Sequence, residues 1–134
     1  MRNVDDLGKL VLRLMLGGIM LLHGIAKIVS GPAMITGLVA KSGMPPAIGY
    51  LVYVGEVVAP LLLILGLWTR PVALIIAINM VVALMLVHSG QLWDLGKTGG
   101  WALELQGFFL FSAVAVMLLG AGRFSFGGAK GRFN

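Results

Sequence analysis

Four long apolar segments dominate the sequence and constrain its fold more than any other feature. They run over about residues 10–29, 47–67, 71–87 and 101–119, and each is close to the ~20 residues that a helix needs to cross a bilayer. With 59% hydrophobic and 11% charged residues, the chain has more apolar side chains than one small soluble core can enclose. The sequence therefore predicts an all-α integral membrane protein, a single domain over residues 1–134 that folds as an antiparallel, up-down four-helix bundle.

Positive side chains are distributed unevenly between the two ends of this predicted bundle. One end has only Lys41 and Lys97, whereas the end with both termini has Arg2, Lys9, Arg70, Arg123, Lys130 and Arg132. Because Lys and Arg in short loops are retained in the cytoplasm, we expect both termini to be cytoplasmic. The net charge of +5 then reflects orientation, and no nucleic-acid partner is expected because no basic run with interleaved aromatic residues lies outside the apolar segments.

The connections and small residues predict how the helices meet. The Gly- and Pro-rich loop from Ser30 to Pro46 leaves room for a short re-entrant or interfacial piece. In the turn before the third segment, Thr69 is expected to cap the helix and Pro71 to occupy its first turn. Close helix packing is predicted at pairs of small residues, namely Gly17 and Gly24, Gly55 and Ala59, and Ala73 and Ala77.

The few ionisable residues inside the apolar segments are the candidate functional residues. Arg13, His23 and Lys27 share one face of the first helix. Counting ~1.5 Å per residue, the first-helix residues His23 and Lys27 reach the same leaflet as Glu56, His88 and Glu104 of the other three segments. An isolated charge at this depth costs several kcal/mol, so we expect Lys27 to pair with Glu104.

Other polar residues have more modest interpretations. Arg13 is expected to reach lipid phosphates or to meet Asp5 or Asp6, and Asn79 to form an interhelical hydrogen bond. Tyr53 lies on the face of Glu56 and can donate a hydrogen bond or pack, while Arg70 is an interfacial anchor. The whole polar set can also be a clasp that only fixes helix register.

Metal and cofactor chemistry has little support in the sequence. Cysteine is absent, so the chain alone cannot perform thiol exchange. Two histidines are a weak signal for haem, and a carboxylate-bridged metal pair would need Glu-x-x-His motifs that do not occur. No nucleotide-binding or hydrolase motif is found. We therefore expect no metal site and no self-contained hydrolase, and no residue is assigned as catalytic.

Six short motifs extend almost from end to end of the chain: Arg13–Gly17, His23–Lys27, Gly43–Pro45, Gly55–Glu56, Gly66–Arg70 and Gly120–Ser125. Their order and spacing resemble the DoxX family. The closing motif departs slightly, with Ala121 and Phe124 where the family often has Pro and Tyr. The resemblance implies a four-helix, multi-pass protein of the bacterial inner membrane, and it marks Arg13, His23, Lys27, Glu56 and Glu104, with His88 a looser match.

Some DoxX relatives are linked to thiosulfate:quinone oxidoreductase, to resistance to quinone-like compounds or to thiol-oxidative stress. One hypothesis is therefore a membrane subunit or quinone-binding component of a redox system, whose electrons come from a partner protein. The candidate cofactor-binding residues are then seven: Arg13, His23, Lys27, Tyr53, Glu56, His88 and Glu104. His23 and Glu56 would then carry protons. The alternative is a non-enzymatic lipid- or client-binding assembly factor or a small-solute carrier, and a carrier with so few helices would have to be a homo-oligomer.

Overall fold

The computed structural model describes residues 1–134, and the chain is all-helical, as predicted. Its five helices are α1 (Arg2–Ser30), α2 (Ala33–Lys41), α3 (Pro46–Leu65), α4 (Thr69–Val87) and α5 (Glu104–Leu119). Helix α3 begins with a 3₁₀ segment, Pro46–Tyr50, and a second 3₁₀ segment, Ser89–Gln91, follows α4. Between this turn and α5, the only extended pairing is an isolated bridge between Leu95 and Trp101.

Helices α1, α3 and α4 are each long and apolar enough to cross a membrane, and α5 is a shorter apolar helix of 16 residues. Much of their outer surface is apolar, with Leu22, Met85 and Phe108 each more than two-thirds exposed. Water would not tolerate so continuous an apolar surface, but lipid covers it at no cost. The prediction of a helical membrane protein is confirmed.

Four helices, α1, α3, α4 and α5, together form the buried core. Helix α5 packs along α4, and α1 packs along α3. Their inward faces meet in one apolar cluster formed by Leu16 and Met20 of α1, Ala59 and Leu63 of α3, Val72, Ala73, Ile76, Ala77 and Met80 of α4, and Phe109, Ala113 and Val116 of α5.

Helix α3 is interrupted by a wide turn at Val54–Val58, which has π-helical geometry. Pro60 explains it: proline has no N–H to donate to the carbonyl of Glu56 four residues earlier, and its ring crowds that carbonyl. The chain responds with a longer bond, since the N–H of Ala59 donates to the carbonyl of Val54, five residues back. The extra residue turns Glu56 inward, where its side chain is 2% exposed. Such π turns occur frequently at functional sites.

Two glycines bring neighbouring helices against this wide turn. A Cβ atom on Gly24 of α1 would collide with the carbonyl oxygen of Glu56, and one on Gly55 would lie 2.7 Å from the Cβ of Asn79 on α4. Small residues here therefore permit the close approach that the sequence predicted. The consequence is that α1, α3 and α4 converge on the side chain of Glu56.

The turn between α3 and α4 differs from its prediction. Pro71 lies in the first turn of α4 as expected, but Thr69 does not cap the helix with its side chain. Instead the Thr69 N–H donates to Oδ1 of Asn134 at 3.0 Å. Arg70 is more than an interfacial anchor, because its guanidinium donates to the carbonyls of Met117 and Leu118, both at 2.9 Å. It thereby satisfies carbonyls that the end of α5 leaves free.

Candidate functional site

Glu56 forms the centre of a polar cluster within the apolar part of the fold. Its Oε1 accepts hydrogen bonds from Nζ of Lys27 at 2.6 Å and from Nδ2 of Asn79 at 3.1 Å. Each of three helices, α1, α3 and α4, thus contributes one side chain. Glu56 is 2% exposed, whereas the side chain of Lys27 is 31% exposed. The interhelical hydrogen bond predicted for Asn79 is confirmed.

The predicted pair between Lys27 and Glu104 is wrong. Helix α5 begins at Glu104 itself, three residues later than the apolar segment suggested, so this acid lies at the helix end and is exposed. A carboxylate there is stabilised by the free N–H groups and the dipole of the first turn and needs no buried cation. Lys27 is therefore left for Glu56, which the π turn directs towards it.

The second carboxylate oxygen of Glu56 is unsatisfied. Oε2 is buried and has no hydrogen-bond partner, although Oε1 has two. A buried polar atom without a partner costs about 1–3 kcal/mol, and native proteins contain few of them. An acceptor that is kept free in this position is available to a ligand or a proton.

A cavity of about 240 Å³ adjoins the cluster. Its polar lining brings together four of the seven candidate residues with one that the sequence did not suggest, and these are His23, Lys27, Glu56, His88 and Gln106. The remaining walls are apolar, formed by Met20, Met34, Met80, Ala83, Val87, Leu105 and Phe109. A few convergent polar groups among apolar walls are typical of small-molecule sites.

The two histidines of the cavity are held by neighbours. The ring of His23 meets the ring of Phe109 edge to face, with centroids 5.5 Å apart. Nδ1 of His88 lies 3.0 Å from Oε1 of Gln91, and its Nε2 lies 3.4 Å from Nε2 of Gln106. Both imidazoles can exchange a donor for an acceptor role, so the cavity offers adaptable hydrogen bonding.

The remaining candidates lie outside the cavity. The Tyr53 hydroxyl donates to the backbone carbonyl of Lys27 at 3.3 Å, which ties the start of α3 to the end of α1. Arg13 is buried far from the cluster and donates to the carbonyls of Ala121 and Phe124, both at 2.6 Å. The sequence suggested that Arg13 would reach lipid phosphate or pair with an acid. It does neither, because these carbonyls already bind its guanidinium.

The acceptors of Arg13 belong to residues 120–134, here called the C-terminal tail, which is clamped to the end of the fold opposite the cavity. The Asn134 amide donates to the carbonyls of Gly66 and Gly128 at 2.9 and 3.1 Å, and the N–H of Arg123 donates to Asp6 at 3.2 Å. Every residue has a backbone carbonyl, so the sequence alone could not identify these carbonyls as the acceptors of Arg13. We interpret that end of the molecule as structural.

Sequence reasoning also missed part of the site itself. Gln106 received no prediction, and Asn79 was not assigned to Glu56. A signal for both existed, since each is an uncharged polar residue within an otherwise apolar segment. Such residues often form hydrogen bonds across helix interfaces. Here Asn79 donates to Glu56 and Gln106 lies beside His88, so both belong to the surroundings of the cavity.

Comparison with known proteins identifies the family. The DoxX family model matches residues 8–89, which is more than half of the chain and includes His23, Lys27, Glu56 and His88. Searches of curated proteins and of solved structures each gave no match. The matched region carries the ion pair, the π turn and most of the cavity lining. This chain belongs to the DoxX family and is a membrane protein.

Proposed function

We propose that this protein is a quinone-binding component of a redox or oxidative-stress system in the bacterial inner membrane, with the quinone headgroup in the cavity beside Glu56. The observation that carries the proposal is the free, buried Oε2 of Glu56, a residue that lines a cavity with possible donors from four other side chains. The family membership is consistent with this function, because it makes the chain a membrane protein that meets lipid-soluble compounds directly.

The size of the cavity suits one aromatic or quinonoid ring. An apolar cavity of about 150 Å³ in another protein accommodates benzene, and the cavity here is about 240 Å³. The additional space allows for ring substituents. A six-membered ring with two oxygen substituents therefore fits, whereas a sugar or a nucleotide would need more room and many more polar contacts.

The charge of the site favours a neutral ligand. Lys27 and Glu56 neutralise one another at 2.6 Å, and no other acid or cationic lysine or arginine lines the cavity. A charged ligand would introduce an uncompensated charge in a poorly solvated place, which is costly. Quinones and hydroquinones are neutral, so they add polar atoms without adding charge.

The hydrogen-bonding groups suit both redox forms of a quinone. Quinone carbonyls only accept, and Lys27, Gln106 and the histidines can donate. A hydroquinone hydroxyl donates, and Oε2 of Glu56 can accept. Interconversion of the two forms moves two electrons and two protons: Glu56 and His23 would exchange the protons, and a partner protein with its own redox centre would supply or remove the electrons.

The proposal includes an orientation in the membrane. We place all four long helices across the bilayer, with both termini and the α3–α4 turn in the cytoplasm, since that end carries most of the Lys and Arg residues. The absence of native cysteine makes the test simple. A membrane-impermeant maleimide added to intact cells should label Lys97→Cys and not Lys130→Cys, and the reverse pattern would invert the orientation.

Binding is tested by purifying the protein and assaying extracted lipid for quinone, then by titrating a tail-free hydroquinone, the redox form whose hydroxyl can donate to Oε2 of Glu56. Glu56→Gln removes the free carboxylate and should weaken binding by about tenfold, the effect of one lost hydrogen bond to a charged group. Glu104→Gln is the matched control, because the same change is made at an exposed acid, and it should have no effect. Wild-type affinity in Glu56→Gln would overturn the proposal. Phospholipid in place of quinone in the extract would support a lipid-binding assembly factor instead.

A further inference from the structure

An apolar cleft of about 310 Å³ lies on the side of the molecule between α3 and α4. Its walls include Ile48, Leu51, Val54, Ile75, Ile78 and Val82, each between 40% and 63% exposed. Since these residues lie on helices that cross the membrane, the cleft faces hydrocarbon rather than water. Residue Val39 of α2 also lines it.

Shared lining residues connect the cleft with the polar site. A smaller cavity of about 80 Å³ lies between them. It shares Asn79 and Val39 with the cleft, and it shares Lys27 and Glu56 with the headgroup cavity. The side chains at the junctions include Met34 and Leu86, which are flexible enough to widen it by changing rotamer. With the junctions widened in this way, a chain of methylene groups could run from the headgroup cavity to the lipid.

We propose that this cleft holds the hydrocarbon tail of the bound quinone, and that the ligand enters and leaves sideways through the lipid between α3 and α4. This inference rests on the proposed function, because the tail is positioned by a ring held at Glu56. Two observations support it together. The cleft is apolar and its walls are exposed on the side of the molecule, and its lining includes Asn79, whose amide donates to Glu56, beside which the polar ring would lie.

The test uses a benzoquinone that carries a photoreactive diazirine within an alkyl tail, together with a phospholipid that carries the same group in an acyl chain. After irradiation in nanodiscs, adducts are mapped by mass spectrometry. The quinone probe should label peptides that contain Leu51, Val54 or Ile78. A tail-free benzoquinone should suppress this labelling, because it displaces the ring that anchors the tail, and it should not change labelling by the phospholipid probe.

A pair of matched variants tests whether the quinone tail lies in the cleft between α3 and α4. Ile78→Trp fills the cleft and should reduce quinone labelling there by about tenfold, as expected for overpacking. Ile25→Trp makes the same change at a lipid-facing position of α1 that is similarly exposed and lines none of these cavities. It should leave labelling unchanged. Binding of the tail-free ring should be equal in both variants and the wild type.

The outcomes separate this inference from the proposed function. If the tail-free ring binds but tail adducts are spread evenly over lipid-facing residues, or if the phospholipid probe labels the cleft and quinone does not compete, the tail assignment is wrong and the headgroup site stands. If the tail-free ring does not bind to the wild type, the proposed function fails first. Loss of cleft labelling in Ile78→Trp alone, with ring binding retained, supports the inference.

Discussion

The ion pair between Lys27 and Glu56 is asymmetric in its exposure, and this predicts unequal effects when either partner is removed. Lys27→Met leaves Glu56, which is 2% exposed, with only the amide of Asn79 as a partner. An uncompensated buried charge of this kind costs about 3–5 kcal/mol. Glu56→Gln leaves Lys27, which is 31% exposed and can turn its ammonium towards the polar surface, so the loss should be about 1–3 kcal/mol.

The double variant Lys27→Met/Glu56→Gln removes both charges and should recover about 2 kcal/mol relative to Lys27→Met. The free energy of unfolding, measured for all three variants in one detergent at neutral pH, gives this coupling directly. Lys97→Met is the control, since Lys97 is exposed, and it should change stability by less than about 0.5 kcal/mol. The reasoning is refuted if Lys27→Met is no more destabilising than Glu56→Gln, or if the double variant is less stable than both.

Three further predictions concern packing and the C-terminal tail. Gly24→Ala places a methyl group against the carbonyl of Glu56 and should lower the free energy of unfolding by about 1–3 kcal/mol. The control Gly18→Ala meets open space and should be neutral or stabilising by up to about 1 kcal/mol. Equal effects of the two variants would contradict the observed packing. Arg13→Lys cannot keep both bonds to the tail, so amide hydrogen exchange in the tail should accelerate, and unchanged protection would disprove the clamp. Asn134→Ala removes three hydrogen bonds and should lower stability by about 1–3 kcal/mol, with faster exchange at the first amide of α4.

The long apolar helices could be predicted from sequence because hydropathy measures the property that lipid selects. The residues at which these helices begin and end were harder to predict. Helix α1 continues outward to Arg2, since polar residues can extend a helix beyond the bilayer without changing its apolar segment. At α5 the opposite occurs: Trp101 begins the apolar segment but lies before the helix. That difference of one turn is what made Glu104 a mistaken partner for Lys27.

The members of the candidate site were largely predictable, but their pairing was not. Ionisable residues in apolar segments are few enough to identify His23, Lys27, Glu56 and His88 directly. Their pairing depends on helix rotation, which shifts by about 100° for each inserted residue, and the π turn changes that rotation. Pro60 is the residue in the sequence that indicates this π turn. The acceptors of Arg13 were beyond prediction because they are main-chain oxygens of the tail.

The π turn has a consequence for how this protein can vary. A π turn is equivalent to one residue inserted into a regular helix. Here Pro60 has no N–H for the regular α-helical bond to the carbonyl of Glu56, so that bond is missing under all conditions. Deleting Val57 or Val58 would rotate the preceding part of α3, Glu56 included, by about 100° and carry the Glu56 carboxylate away from Lys27. Substitutions around Glu56 can therefore change its surroundings one side chain at a time. A change in the length of this turn instead separates Glu56 from Lys27 at once and turns a different face of α3 towards α1.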